Sequence, residues 1–389
     1  MKVVISGYYG FDNAGDEAVL AAILAGLRRE CPTVHPVVLS GNPARTAARH
    51  GVEAVPRLSL AAVRRALREA DLFVSGGGTL LQDLTGWGSV PYYGGLMLLA
   101  HRLGVPVFAW AQGIGPLRRP ALRRMAGRAL AAAVEVTVRD QASAALAREL
   151  GVDPRRIHLV ADPVFALAGQ APAAAALGSE EPPAGDGLAE AAARLLSALP
   201  DGPLVGVSLR LLPGERPATV EQRFFADTAT RDLAACLARW GARALPLPLH
   251  PPQDGPPLDR LVAVLGPLAV PWPAGVEPAD LSPADWLALF RRLDLVLTMR
   301  LHGLIFAACA GVPFVAVGSD PKLAAHVAEL GLPRAPFLIE RPGLGEALEA
   351  VWAERQRWRA AIVAGALRLR ERAQATARRA LAVTRGAAA

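Results

Sequence analysis

Over the first 160 residues or so, short apolar runs alternate with amphipathic stretches. The runs Lys2–Ser6, Val34–Leu39, Asp71–Ser75, Val105–Trp110, Val134–Val138 and Ile157–Val160 read as buried strands. Between them, Ala14–Glu30, Ala61–Glu69, Tyr92–Leu103, Pro120–Ala133 and Ala142–Leu150 carry apolar residues at helical spacing. Asn13 ahead of the first of these, with Gly15, Asp16 and Glu17 in its first turn, suits a helix N-terminus. Strands that alternate with helices of this length predict a parallel sheet covered on both faces.

The alternation stops at Gly169–Pro203, where Ala, Pro and Gly dominate and the composition predicts a linker with room for one helix. It resumes with strands at Leu204–Leu209, Arg243–Leu249, Leu268–Val270, Asp294–Thr298, Phe314–Val317 and Phe337–Ile339. Helices are expected at Glu221–Trp240, at Leu258–Leu265, and from the Ser282-Pro283 cap to Leu293. From Gly345 the pattern is one or two Arg-rich helices. The fold class is therefore α/β, with two doubly wound Rossmann-like domains facing a cleft. The expected divisions are 1–168, a linker over 169–203, 204–344, and C-terminal helices over 345–389.

Composition narrows the function. Hydrophobic residues make up 52% of the chain and charged residues 20%, which excludes intrinsic disorder. Aromatics at 5% disfavour a nucleic-acid platform built on stacked rings, and no nucleic-acid reading motif is present. Cys31, Cys236 and Cys309 form no CxxC pair, so neither a disulfide framework nor a zinc ribbon is expected, and a cytoplasmic location fits. No acid or metal-ligand cluster emerges, so no metal is expected. The net charge of +7 is uneven. Arg118, Arg119, Arg123, Arg124 and Arg128 form one basic run, and ten Arg against four Glu lie between Arg341 and Ala389. Either patch could be a solvated helix face or a surface for anionic headgroups, with peripheral placement at the inner membrane face. Lysines are only two, Lys2 and Lys322, so a Lys inside a motif stands out.

In open α/β sheets, ligands gather beyond the carboxyl ends of the strands. The first such end is Gly7-Tyr8-Tyr9-Gly10-Phe11-Asp12-Asn13-Ala14-Gly15-Asp16-Glu17, where the carboxylates Asp16 and Glu17 oppose a phosphate but suit a sugar hydroxyl. It is neither a dinucleotide fingerprint nor a Walker loop, and a plain turn would explain its glycines equally. Gly76-Gly77-Gly78 ends another strand, as bare amides for a ligand or as a tight turn. Arg139-Asp140 and Arg210 end two more, each either an anion clamp or an ion pair on the rim. The richest end is Thr298-Met299-Arg300-Leu301-His302-Gly303, with Arg and His two residues apart. One strand later, Ser319 and Lys322 add a hydroxyl and a cation to the same edge. The other histidines read as structural, except His250, which also ends a strand.

Taken together, Gly7–Glu17, Ser75–Gly78, Gln112-Gly113-Ile114-Gly115-Pro116, Val138-Arg139-Asp140, Asp162-Pro163 and Arg300–Gly303 resemble the polysaccharide pyruvyl transferase family. The resemblance is nearest to its CsaB-type bacterial members. It implies a GT-B-like fold with an acceptor side in 1–168 and a donor side in 204–344. It implies transfer of the pyruvyl group of phosphoenolpyruvate, as donor substrate and without a cofactor, onto a hexose as a 4,6-ketal. For CsaB-type members the acceptor is β-linked N-acetylmannosamine of a lipid-linked cell-wall polymer precursor, a mark for S-layer docking. The expected roles are His302 and Arg300 in catalysis, and Arg139, Arg210, Arg300, Ser319 and Lys322 around phosphoenolpyruvate. Asn13, Asp16, Gly76, Gly77 and Gly78 are expected at the acceptor. The resemblance also implies a terminal helix that packs back across the first domain, against the alternative of a tail on the membrane. The sequence departs from the family at Leu211-Leu212 after Arg210 and at His250-Pro251-Pro252-Gln253-Asp254, which bears on acceptor identity. Two other readings stay open: a GT-B glycosyltransferase using a nucleotide sugar, and a non-catalytic binder of anionic glycans.

Overall fold

The computed structural model describes residues 1–84, 86–168, 188–210, 229–318, 320–332 and 343–386. These divide into two compact units, Met1–Ala166 with Leu369–Ala389, and Leu167–Arg368. The expected strand at Phe337–Ile339, the start of the helix at Glu221 and most of the proposed linker lie outside the described residues. Helix Leu188–Ser197 occupies the end of that linker and packs on helix Pro283–Arg291.

The first unit is built on one parallel sheet. Its strands are β1 (Lys2–Ser6), β2 (His35–Ser40), β3 (Glu53–Pro56), β4 (Leu72–Ser75), β5 (Gly78–Leu81), β6 (Val107–Ile114), β7 (Glu135–Val138) and β8 (Ile157–Leu159). They lie in the order β3-β2-β1-β4-β6-β7-β8, with β5 paired to β6. Between them run α1 (Ala14–Glu30), α2 (Pro43–His50), α3 (Leu60–Arg68), α4 (Ser89–Arg102), α5 (Pro120–Ala131) and α6 (Gln141–Glu149). The strands read as near-continuous apolar runs because helices bury both faces. Val4, Phe73, Val107, Ala109 and Val136 are completely or almost completely buried in one core.

Four elements here exceed the sequence expectation: α2 and β3 fall where no element is expected, and two more extend the β4 and β6 ends. The glycine turn leads straight into β5, and β6 runs on to Ile114. Ala111 makes that extension possible. It adopts φ 46°, unusual for a residue with a side chain, and the register shifts between Ala109 and Gln112. Thr137 Oγ1 accepts from the Ala111 amide at 2.7 Å and holds the kink. The bulge turns Gln112 toward the β4 turn.

The second unit has a smaller parallel sheet of β9 (Leu204–Ser208), β10 (Arg243–Pro246), β11 (Leu295–Thr298) and β12 (Phe314–Ala316), in the order β10-β9-β11-β12. Helices α8 (Ala229–Trp240), α9 (Pro251–Leu265), α10 (Pro283–Arg291), α11 (Leu301–Ala310), α12 (Pro321–Glu329) and α13 (Leu344–Ala353) surround it; α7 is Leu188–Ser197. The expected strand Leu268–Val270 is reduced to a single bridge between Ala244 and Ala269. The expected helix Leu258–Leu265 starts seven residues earlier, at Pro251, because prolines at the first positions need no hydrogen-bonded amide. Ser282 and Asp285 form the capping box that opens α10.

The last helix, α14 (Arg355–Gly386), counts with the second unit as far as Arg368 and with the first from Leu369. Its end packs on the first unit. Arg372 donates to the Val160 carbonyl at 2.8 Å, Arg379 pairs with Glu135, and Arg29 donates to the Gln374 carbonyl at 3.2 Å. Three of the tail's basic or polar contacts are thus spent inside the fold.

Candidate active site

In the first unit, the motifs interlock at the carboxyl edge of the sheet. Tyr9 is fully buried, and its ring covers two glycines. A Cβ on Gly7 would lie 2.3 Å from Tyr9 Cζ, and one on Gly76 would lie 2.2 Å from Tyr9 Oη. Only glycine leaves that space. Gly77 faces Val19 and Pro163, where a Cβ would come within 2.9 Å and 3.2 Å. Gln112 donates to the Ser75 carbonyl at 2.9 Å and to the Gly76 carbonyl. Gly113 makes room for a guanidinium: its Cβ would stand 2.9 Å from Arg139 Nη2.

Arg139 itself is only 3% exposed. It donates to Asp162 at 2.7 Å and to Thr79 Oγ1 at 2.9 Å. It therefore ties β5, β7 and the Asp162 loop together. A buried charge is tolerated only when paired in this way. The glycines at 76 and 77 serve close packing, whereas Gly78, at φ +99°, has Asp16 Oδ1 at 3.4 Å from its ideal Cβ position. Asn13 caps α1 by accepting from the amides of Gly15 at 3.0 Å and Asp16 at 3.4 Å, an arrangement worth about 1 kcal/mol. Glu17 turns inward. It accepts from the Gly10 amide at 2.9 Å and pairs with His50 at 2.8 Å. Burial opposes its charge, but His50 and the Gly10 amide hold the carboxyl below its usual range. Of the two acids, Asp16 alone stays half-open beside Gly78.

The sequence reading missed an aromatic cluster on the same edge. Tyr8 and Phe11 stack at 4.3 Å, and the Arg57 guanidinium lies 4.1 Å over Tyr92 and 5.1 Å from Phe11. Tyr8 and Phe11 come from the β1–α1 loop, Arg57 from the loop after β3 and Tyr92 from α4, so only the fold collects them.

In the second unit, Arg210, Arg300 and Lys322 come to one sheet edge, each half-buried. Ser319 lies outside the described residues. Two carboxylates that the sequence reading did not single out organise these cations. Arg210, after β9, pairs with Asp320, after β12, at 2.9 Å. Arg300, after β11, reaches Asp254, after β10, through Nε at 2.9 Å and also through Nη2. The two bridges cross over the strand ends. Asp254 accepts further from the His250 amide at 2.8 Å, and Gln253 accepts from Arg300 at 3.2 Å. Burial pushes the Asp254 carboxyl up despite Arg300. For Asp320, burial is outweighed by Lys322 and Arg210, and the carboxyl falls below its usual range. Desolvation lowers Arg210, partly offset by Asp320.

Local structure fixes Arg300 and His302. Thr298 Oγ1 accepts from the Arg300 amide at 3.0 Å and donates to its carbonyl at 3.0 Å. Gly303 packs on that hydroxyl, where a Cβ would lie 2.3 Å away. His302, half-buried, sits on the first turn of α11 next to Arg300. Asp320 caps α12 by accepting from the Lys322 amide at 3.0 Å, so the same residue positions both Lys322 and Arg210. Among the described residues, no group of three or more His, Cys, Asp or Glu is arranged to hold a metal ion.

The sequence profile of polysaccharide pyruvyl transferases matches residues 13–321, which takes in both sheet edges. The chain belongs to that family. Its activity class is thus pyruvyl transfer onto polysaccharide. Among curated proteins, none matches. Solved structures share the fold. The UDP-GlcNAc 2-epimerase of Methanocaldococcus jannaschii has TM-score 0.59 at 12% identity, covering 90% of each chain. The Neisseria meningitidis enzyme, bound to UDP-GlcNAc, has TM-score 0.58 at 10% identity, covering 93% of this chain and 94% of its own. Anabaena HepE, with UDP and glucose, has TM-score 0.53 at 15% identity, covering 100% of this chain and 98% of its own. These neighbours have the GT-B-like architecture of two Rossmann-like sheets. Among the described residues, no helix is long and apolar enough to cross a membrane.

Proposed function

We propose that this member of the family takes its pyruvyl group from phosphoenolpyruvate and installs it as a 4,6-ketal on a hexose. The acceptor fits β-linked N-acetylmannosamine of a lipid-linked cell-wall polymer precursor, and the product would serve S-layer anchoring. The observation that carries the donor assignment is the trio Arg210, Arg300 and Lys322 at one sheet edge. Phosphoenolpyruvate bears a phosphate and a carboxylate and needs several cations at close range.

In this reading His302 protonates the methylene carbon. Positive charge develops on the neighbouring carbon, and an acceptor hydroxyl adds there and returns its proton to the now neutral His302. The carbon–oxygen bond to phosphate then breaks, with Arg300 and Lys322 stabilising the departing charge. The second hydroxyl closes the ring, and its proton leaves with phosphate. Asn13, Asp16 and the Gly78 backbone are assigned to the acceptor. Arg139 becomes a positioning residue, because Asp162 and Thr79 occupy its guanidinium. The alternative, a nucleotide-sugar glycosyltransferase, draws on shared fold alone.

Calorimetric titration separates the two. Phosphoenolpyruvate should bind saturably, and Lys322→Ala should weaken it roughly tenfold or more, as expected for a lost charge-assisted contact. Binding of UDP or UDP-sugars with no response to phosphoenolpyruvate would reverse the assignment.

A further inference from the structure

The loops after β5 and β6 place exposed apolar and basic groups side by side. Leu84 is 45% exposed and Trp87 is 62% exposed, on the segment that leads into α4. Arg118 and Arg119 follow β6, and Arg124 lies on α5; Arg118 and Arg124 are exposed. Asp83 joins the two loops. Its carboxylate accepts from the amides of Arg118 at 2.8 Å and Arg119 at 2.7 Å, and its carbonyl accepts from the Arg119 guanidinium at 2.7 Å. The same guanidinium lies 4.7 Å over the Trp87 ring. Asp83 is itself buried, so its charge is turned inward.

The surrounding sequence is one-sided in charge. Between Asp83 and Glu135 there is no acidic residue, while six arginines occur: 102, 118, 119, 123, 124 and 128. Arg123 is engaged by Glu149 at 2.7 Å in an exposed pair; the Asp83 carboxylate meets Arg118 at its backbone amide. Leu58, 81% exposed on the loop after β3, and Leu60, 67% exposed at the start of α3, stand on the same edge of the parallel sheet. What sets this edge apart is the coincidence of exposed apolar side chains with a one-signed basic rim, the pairing that marks interaction surfaces.

We propose that this edge of the first unit docks on an anionic lipid bilayer. Trp87 and Leu84 enter the headgroup region, where an indole is favoured, and Arg118, Arg119 and Arg124 meet the anionic headgroups. The two kinds of group together fit a bilayer better than a soluble polyanion, which has no apolar layer for Trp87. Docking would present the first unit's candidate acceptor residues, on the same sheet edge, to a lipid-linked glycan. Only that purpose rests on the function proposed above. The surface itself can be tested without donor or acceptor, so the two ideas fail separately.

Vesicle flotation provides the test, with phosphatidylcholine alone and with roughly a third phosphatidylglycerol. The wild-type chain should float with the anionic vesicles only. Leu84→Ser with Trp87→Ser should weaken partitioning by about tenfold. Arg118→Glu with Arg124→Glu should weaken it by at least that much, since each surface arginine contributes about fivefold. Arg357→Glu with Arg359→Glu, an equal charge change on the last helix, should cost less than about threefold. Thermal melting of each variant checks that it is folded. A wild type that floats with neither vesicle would overturn the proposal. So would equal losses in the two charge variants, or anionic binding that the apolar variant leaves unchanged, which would mark a merely polycationic chain.

Discussion

Arg210 and Arg300 each meet a carboxylate across the end of a neighbouring strand, so neither cation waits for an anion unaccompanied. Removing one member of such a half-buried pair strands the other partly desolvated, at a cost of about 1–3 kcal/mol. Asp254 and Asp320 therefore set the orientation of the guanidinium groups before any donor arrives. His302 differs in kind: it shares a helix turn with Arg300 and is the group suited to deliver a proton. His302→Gln should leave phosphoenolpyruvate affinity within about threefold while lowering kcat by about 10²–10⁴-fold, a split that separates proton delivery from binding. Calorimetry and steady-state rates on the same preparation check it; equal losses in both would assign His302 to binding. The cations were legible as residues at strand ends. Asp254 and Asp320 were not, because nothing local marks an acid that will face an arginine 46 or 110 positions away.

At the scale of elements, the glycines are the parts of the first unit that tolerate least change. Gly76→Ala should destabilise the first unit by about 1–3 kcal/mol, since its Cβ would meet Tyr9 Oη and come within 3.0 Å of the Ser6 carbonyl. Tyr9→Phe in the same chain should recover part of the loss by removing the hydroxyl. Thermal or denaturant unfolding reads both, and a Gly76→Ala variant as stable as wild type would contradict the packing described. The strand–helix alternation of both sheets followed from periodicity, because parallel strands covered on both faces must be apolar throughout. Three features did not. β3 is a short strand with exposed ends, Glu53 and Pro56. β5 hides behind a glycine triplet that reads as a turn. The start of α9 hides in Pro251-Pro252-Gln253-Asp254-Gly255, a loop by composition. There the bond from the His250 amide to Asp254 and the burial of Pro257, Leu258 and Leu261 override local preference.

For the whole molecule, the family match and the pairing of motifs with sheet edges agree. The motifs from Gly7 to Asp162 interlock in the first unit, and those from Arg210 to Lys322 gather in the second. The two-sheet architecture was readable from the repeated strand–helix units. For the tail, the local pattern gave only a helix and the family resemblance its return to the first unit; the contacts with Val160, Glu135 and Arg29 that hold it there are encoded by no local pattern. Family membership sets the reaction class, and the donor is the central claim of the proposed function. The most direct measurement follows label from pyruvyl-labelled phosphoenolpyruvate into a glycan acceptor, with phosphate measured alongside. The account predicts label in the glycan as an acid-labile ketal, one phosphate released per ketal, and neither with His302→Gln. Phosphate release without labelled glycan, or a pyruvylated product formed equally well without phosphoenolpyruvate, would contradict it.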